Sequence, residues 1–286
     1  QRISEDVIDA IHDRLDATLP GDGDLRDRYN RWDRDHAVPR ELIVPALERL
    51  RALLGARAHA IVPLPATEAV DYALVEGVPW IAYNRYEGRY RSVVEVNVDL
   101  PVSVELLVNL CAHEAYPGHH VERVVKEAGL LRAMGRLETG VVITPAPESV
   151  LSEGLALCAL EAALGTDPFG TVADVLTDLG LRFDPGEAQA VHEAQLALRA
   201  TGVNAAFLLH EDGLATADVA RYLADRGLES DESAARSIRF LTAPDNRAYV
   251  PAYPDGARLC RVFLGAHPDG FARLLSDQLI PADLGR

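Results

Sequence analysis

The sequence predicts a mainly α-helical fold with a small β-hairpin or short-sheet insert, and three observations lead there. Apolar residues recur at helical spacing along most of the 286-residue chain. One stretch, 60–100, changes to a β-like texture between prolines. No repeat, low-complexity tract or linker divides the chain, so 1–286 is expected to be a single helical domain.

The first element is an amphipathic helix over 3–19, with Ile3, Val7, Ile8, Ile11, Leu15 and Leu19 on one face and Ser4 at its start. Pro20-Gly21-Asp22-Gly23 ends it. Residues 24–36 are strongly charged, and Pro39 then opens a helix to about Leu54 that contains Pro45. Pro63 and Pro65 introduce the insert, where Trp80–Tyr83 and Val93–Val98 read as strands around Gly88. Pro101 and Ser103 lead into a strong helix from Val104 to about Tyr116. Helical pattern resumes after Pro117-Gly118, and Gly140–Pro147 is an irregular link. Glu148–Leu164, rich in Ala and Leu, is a central helix. Residues 187–212 form one long helix or two joined at Gly202. Shorter helices are expected over 216–226 and 231–241, over most of Asp245–Leu264, and over Phe271–Leu279.

Composition narrows the function classes. Hydrophobic residues make up 48% of the chain, enough for a large core, and the formal charge is -16. The acids are dispersed, and no basic footprint suits nucleic acid. No apolar stretch approaches the roughly 20 residues needed to cross a bilayer, so no membrane partner is expected. Cys111, Cys158 and Cys260 are widely spaced in apolar surroundings. They read as buried free thiols of a reducing compartment, hence a cytoplasmic protein. The acidic charge favours a neutral or cationic substrate.

The chemistry concentrates in His113-Glu114-Ala115-Tyr116-Pro117-Gly118-His119-His120. The common zinc-protease element sets two histidines one helical turn apart. Here His113 and His119 are six apart and would face different ways on a straight helix. His113 and His120 would share a face but stand about 10.5 Å apart along the axis, too far for one ion. Pro117 and Gly118 offer the escape: a broken or bulged turn can return His119 to His113. The expected ligands of a divalent ion, preferably Zn2+, are then His113, His119 and Glu153, the last on the central helix beside Gly154. Glu114, adjacent to a ligand, suits the general base. Glu122 suits a carboxylate orienting an imidazole, and His120 a second-shell or substrate-facing group. The metal-site core is expected within 103–164.

The run at 113–120 resembles the hallmark of the bacterial DUF885 proteins, regarded as zinc-peptidase-like, and Glu153-Gly154-Leu155-Ala156 resembles their Glu-Gly-Trp-Ala element. The stretch ending in Asn97 and the run Arg247-Ala248-Tyr249 through Tyr253 and Gly256 are also similar, so the resemblance covers roughly 70–280. Glu122 and Leu155 stand where the family usually has Gln and Trp. The resemblance implies a distant relation to gluzincin peptidases, with His113, His119 and Glu153 on zinc and Glu114 as base. It also implies a late oxyanion-supporting residue: Tyr253 first, then Tyr249 or Arg247.

The leading expectation is therefore a zinc-dependent hydrolase of a peptide or other amide bond. The alternatives are a metalloenzyme acting on a small amino-acid-derived or carbonyl compound, and a non-catalytic metal-stabilised binding protein. Arg85 and Arg89 are expected near the mouth of a cleft. Arg239, within the arginine-bearing stretch 236–247, is expected to meet a substrate carboxylate. Oligomeric state is not encoded legibly.

Overall fold

The computed structural model describes residues 2–244, 246 and 249–284. It is mainly helical with one three-stranded sheet. Helix α1 (Glu5–Thr18) buries Ile8, Ile11 and Leu15, the stripe its periodicity predicts. Helix α2 (Leu25–Asp35) was hidden in sequence because only Arg28 and Trp32 are buried on it. Its start is instead marked by Asp24, whose side chain accepts from the Asp27 amide. Helix α3 (Arg40–Ile61) carries Pro45 within it and runs a further two turns beyond Leu54. Leu47, Leu50, Leu54 and Ala58 bury its inner face.

The insert holds three strands rather than a hairpin: β1 (Ala69–Val75), β2 (Ala82–Gly88) and β3 (Arg91–Asn97), in the order β1-β3-β2. β2 and β3 are antiparallel across a turn in which Arg89 and Tyr90 have φ of 55° and 65°; β1 is parallel to β3. β1 escaped the sequence reading because Ala69–Val75 lacks clean alternation; only Val70 on it is fully buried. Central β3 buries Ser92, Val94, Val96 and Asn97. Asn97 donates to the carbonyls of Val78 and Trp80, which shapes the loop before β2.

The chain then enters α4 (Val104–Leu110) and, after a break, α5 (His119–Lys126). Helix α6 (Pro147–Leu164) is apolar on all sides and central. Helix α7 (Pro168–Thr177), which the sequence reading did not separate, is capped by Asp167. Helix α8 (Pro185–His210) passes through Gly202 without interruption. Helices α9 (Thr216–Arg226), α10 (Asp231–Thr242), α11 (Ala252–Ala266) and α12 (Gly270–Ser276) complete the chain.

Two hydrophobic clusters result. The larger gathers α1 to α7, the sheet, the first half of α8 and the last two helices. The smaller joins the end of α8 to α9 and α10 around Val203, Val219, Leu223 and Leu241. A cavity of about 880 Å³ lies where the clusters adjoin, lined from α2, the β1–β2 loop, the segment after β3, α4, α8, the end of α9 and α10. Cys111, Cys158 and Cys260 are buried and unpaired, and burial pushes all three thiols above their ordinary values. Among the described residues, no single helix is long and apolar enough to cross a membrane.

Candidate metal centre

The helix begun at Val104 does not continue to Tyr116. Cys111–Ala115 is a π-helical turn, Tyr116 is extended (φ -123°, ψ 120°), and the Tyr116–Pro117 peptide is cis. Gly118 then folds against the turn just completed. Its amide donates to Ala112 O at 2.9 Å, and a Cβ on it would lie 1.9 Å from His113 O. Glycine is required here for space, since its φ is -75°. The π-turn and the break together bring the ring of His119 to 4.8 Å from that of His113, at 87°. This supplies the distortion that a compact site demands.

Glu153 arrives from α6. Its helix approaches α11 backbone to backbone, because a Cβ on Gly154 would lie 2.3 Å from Gly256 O and one on Gly256 would lie 2.2 Å from Val150 O. One ligand atom from each of His113, His119 and Glu153 falls within a common 4.8 Å. His113 Nε2 is 3.5 Å from Glu153 Oε2, and His119 Nε2 is 3.7 Å from Oε1. A tetrahedral ion with bonds of about 2.1 Å spaces its donors by about 3.4 Å, so these separations suit an ion between the groups better than direct hydrogen bonds. Glu153 Oε2 is buried with no hydrogen-bond partner. The residues fit a divalent ion on both counts.

The surroundings orient His119 specifically. Its Nδ1 is 3.2 Å from Ser152 Oγ, and Ser152 donates in turn to Glu122. That chain places a proton on Nδ1 and leaves Nε2 as a lone-pair donor. Glu122 is fixed by Lys126 at 2.7 Å, and its carboxyl lies well below the usual range: burial raises it, but Lys126 and His119 outweigh burial. Burial lowers the His119 imidazole, yet Glu122, Glu153 and Glu114 overcome this and raise it to about 9. Burial likewise opposes ionisation of Glu153, but the two histidines and Tyr249 hold it at about 2. A pocket that draws a proton onto His119 so strongly also attracts a cation.

The remaining sequence-predicted residues take different places. Glu114 is buried beside the donors, with Oε1 3.9 Å from His113 Nε2, and it lines the cavity. The Tyr249 hydroxyl donates to Glu153 Oε1. Tyr253 packs edge-on against Tyr249 at 5.4 Å and lines the cavity. Burial raises both phenols, so each keeps its proton. Arg247 lies outside the described residues.

His120 is not substrate-facing. It is 0% exposed, with Nδ1 2.8 Å from Ser92 Oγ and Nε2 2.8 Å from Glu68 Oε2, and Glu68 also accepts from Tyr116. Being next to His119 on a helix, it necessarily points elsewhere, here toward the sheet. Arg85 is an exposed residue of β2 paired with Glu87 and Glu95, and Arg89 is exposed in the β2–β3 turn; neither lines the cavity. Arg239 is exposed on α10, whereas Arg236, one helical turn earlier, lines the cavity. Ser152, Glu68 and Arg199 were not assigned roles from sequence. Ser152 was legible in principle as the neighbour of Glu153; Glu68 and Arg199 stand in no motif.

No family model and no curated protein matches the chain. Solved structures do. It superposes on a putative lipoprotein from Colwellia psychrerythraea with a TM-score of 0.70 at 14% identity, over 98% of this chain and 48% of that one. A putative lipoprotein of unknown function from Shewanella oneidensis gives 0.65 at 15% identity, over 98% and 53%. The chain thus spans about half the length of these proteins, and at such identity the likeness shows the fold alone.

Proposed function

We propose that this protein is a zinc-dependent hydrolase of a peptide or other small amide, distantly akin to the DUF885 proteins and gluzincin peptidases. The observation that carries the reading is Glu114: a buried carboxylate outside the donor triad, against His113, and on the wall of a large cavity. A site serving only to hold an ion has no use for it.

His113, His119 and Glu153 would hold the ion. A divalent ion supplies an electrophile that acidifies water and polarises a carbonyl. Glu114 receives the proton from the attacking water and delivers it to the leaving nitrogen. Tyr253, protonated and on the cavity wall, donates toward negative charge developing on the carbonyl oxygen. Tyr249 holds Glu153 in its donor orientation. The buried surroundings of the triad exclude bulk water and strengthen these interactions.

A second reading, a metal-holding binding protein without turnover, draws on one observation. The Tyr249 phenol is committed to Glu153.

Elemental analysis and a screen of dipeptides and N-acyl amino acids, on wild type, Glu114→Gln and His119→Ala, separate the readings. The hydrolase reading expects about one zinc per chain in wild type and Glu114→Gln, none in His119→Ala, and turnover reduced about 10²- to 10⁴-fold in Glu114→Gln. Zinc in wild type with no turnover of any substrate favours the binding protein. Absence of zinc from wild type after supply of the metal overturns both.

A further inference from the structure

The cavity beside the metal centre contains cationic groups that form no ion pair within the fold. Arg199 of α8 and Arg236 of α10 both line it. Among the described residues neither forms an ion pair, although Asp99 and Glu229 act on Arg236 at longer range. Arg199 Nε is moreover enclosed with no acceptor at all. Desolvating a guanidinium without an acceptor is unfavourable, and a bound anion removes that cost.

The cavity also carries acids: Asp33, Asp99, Glu114, Glu229 and Glu232 line it, and Asp99 and Glu229 act on Arg236. Asp99 accepts from the Gly77 amide, and Glu229 accepts from Ser237. Burial shifts the carboxyls of Glu229 and Asp33 above their usual range. Arg236 is itself partly desolvated, and burial lowers its guanidinium. Arg199 has a fixed relation to the metal centre. Its guanidinium carbon lies 5.6 Å from the centre of the Tyr253 ring, Tyr253 rests on Tyr249, and Tyr249 touches Glu153. A cation on this path can hold one end of a molecule whose carbonyl reaches the donor triad.

We propose that the cavity selects substrates bearing a free carboxylate, with Arg199 as the group that binds it and Arg236 as a second cation drawing it in. The proposal deepens the hydrolase reading and rests on it for the word substrate, but anion recognition itself requires no metal. A planar guanidinium fork suits a carboxylate through two parallel hydrogen bonds. The net charge of the chain would favour neutral or cationic ligands, and the unpaired guanidinium of Arg199 opposes that preference at one point of the cavity wall.

The test uses metal-stripped protein, so that an ion cannot capture the carboxylate and failure of the hydrolase reading does not affect the result. Calorimetry would compare 3-phenylpropanoate and its two longer homologues with the corresponding primary amides, on wild type, Arg199→Gln, Arg199→Lys and Arg236→Gln. The expected result is that wild type prefers acid over amide. Arg199→Gln should lose about ten- to a hundred-fold in acid affinity, with amide affinity unchanged. Arg199→Lys should keep part of it, and Arg236→Gln should weaken acid binding less. Thermal unfolding checks that each variant is folded; should Arg199→Gln not fold, the lysine variant carries the comparison. Equal binding of acids and amides by wild type, binding of neither, or acid affinity indifferent to the Arg199 substitutions overturns the proposal.

Discussion

His113 and His119 stand six residues apart yet their rings meet edge to face at 4.8 Å. An uninterrupted helix would set them roughly 120° out of phase, since six residues turn about 600°. The π-turn at Cys111–Ala115 and the break at Tyr116–Gly118 account for the meeting, and Gly118 is the position that tolerates nothing else. Gly118→Ala should therefore abolish zinc binding and lower stability by about 2–4 kcal/mol. Elemental analysis and thermal unfolding of the variant check both. Retained zinc would mean that the break can relax around a methyl group.

The Ser152–Glu122 chain behind His119 makes a separate prediction. Ser152→Ala and Glu122→Gln leave all three donors in place but free the outer nitrogen of His119. Zinc affinity, measured by competition with a chelator, should fall about 10- to 100-fold. An unchanged affinity would show that the ring is held by packing alone.

His120 lies between Ser92 and Glu68 with no exposed surface. His120→Ala strands both partners and opens a void, so unfolding free energy should drop by about 2–4 kcal/mol. Chemical denaturation measures it, and a drop under 1 kcal/mol would assign His120 no structural weight.

Glu127, which opens a π-helical stretch (Glu127–Ala133) after α5, ties that stretch to the β2–β3 turn. It accepts from the Tyr86 hydroxyl, the Arg89 amide and Arg132. Burial raises its carboxyl, but these donors outweigh burial and hold it below the ordinary range. A depressed value means that its stabilisation is complete above the unfolded-state value of about 4.3 and fades as pH falls toward the lower folded one. Glu127→Gln should thus lower the melting temperature at pH 7, and the gap from wild type should close below about pH 4. A gap independent of pH would sink the assignment.

What the sequence disclosed follows from where each signal is local. Helix α1, strand β3 and the break at Pro117-Gly118 announce themselves within a few residues, whereas the strand read at Trp80–Tyr83 catches only the first two residues of β2 (Ala82–Gly88). Helix α2 did not, because its charged surface leaves no stripe to read, and β1 did not, because its partner pairing is settled by β3 twenty-two residues on. Roles decided across the fold were the hardest. His120 and Glu68 are 52 residues apart, and Arg199 acquires meaning only when α8 meets α11 at Tyr253. Arg239 and Arg236 differ only by which side of α10 faces the cavity, a question of packing rather than composition.

The close crossing of α6 and α11 at Gly154 and Gly256 bears on how the molecule matures. A nascent chain that has reached Leu164 already contains His113, His119 and Glu153, but not the glycine against which Gly154 seats or the phenol that grips Glu153. Domains are commonly completed as synthesis proceeds from the N-terminus, and here the ion's cradle would acquire its final shape only after some ninety further residues have been added. Any metal acquisition would thereby be a late event in biogenesis, and truncation at the ribosome within that interval would yield a polypeptide with every candidate donor and an unfinished cradle.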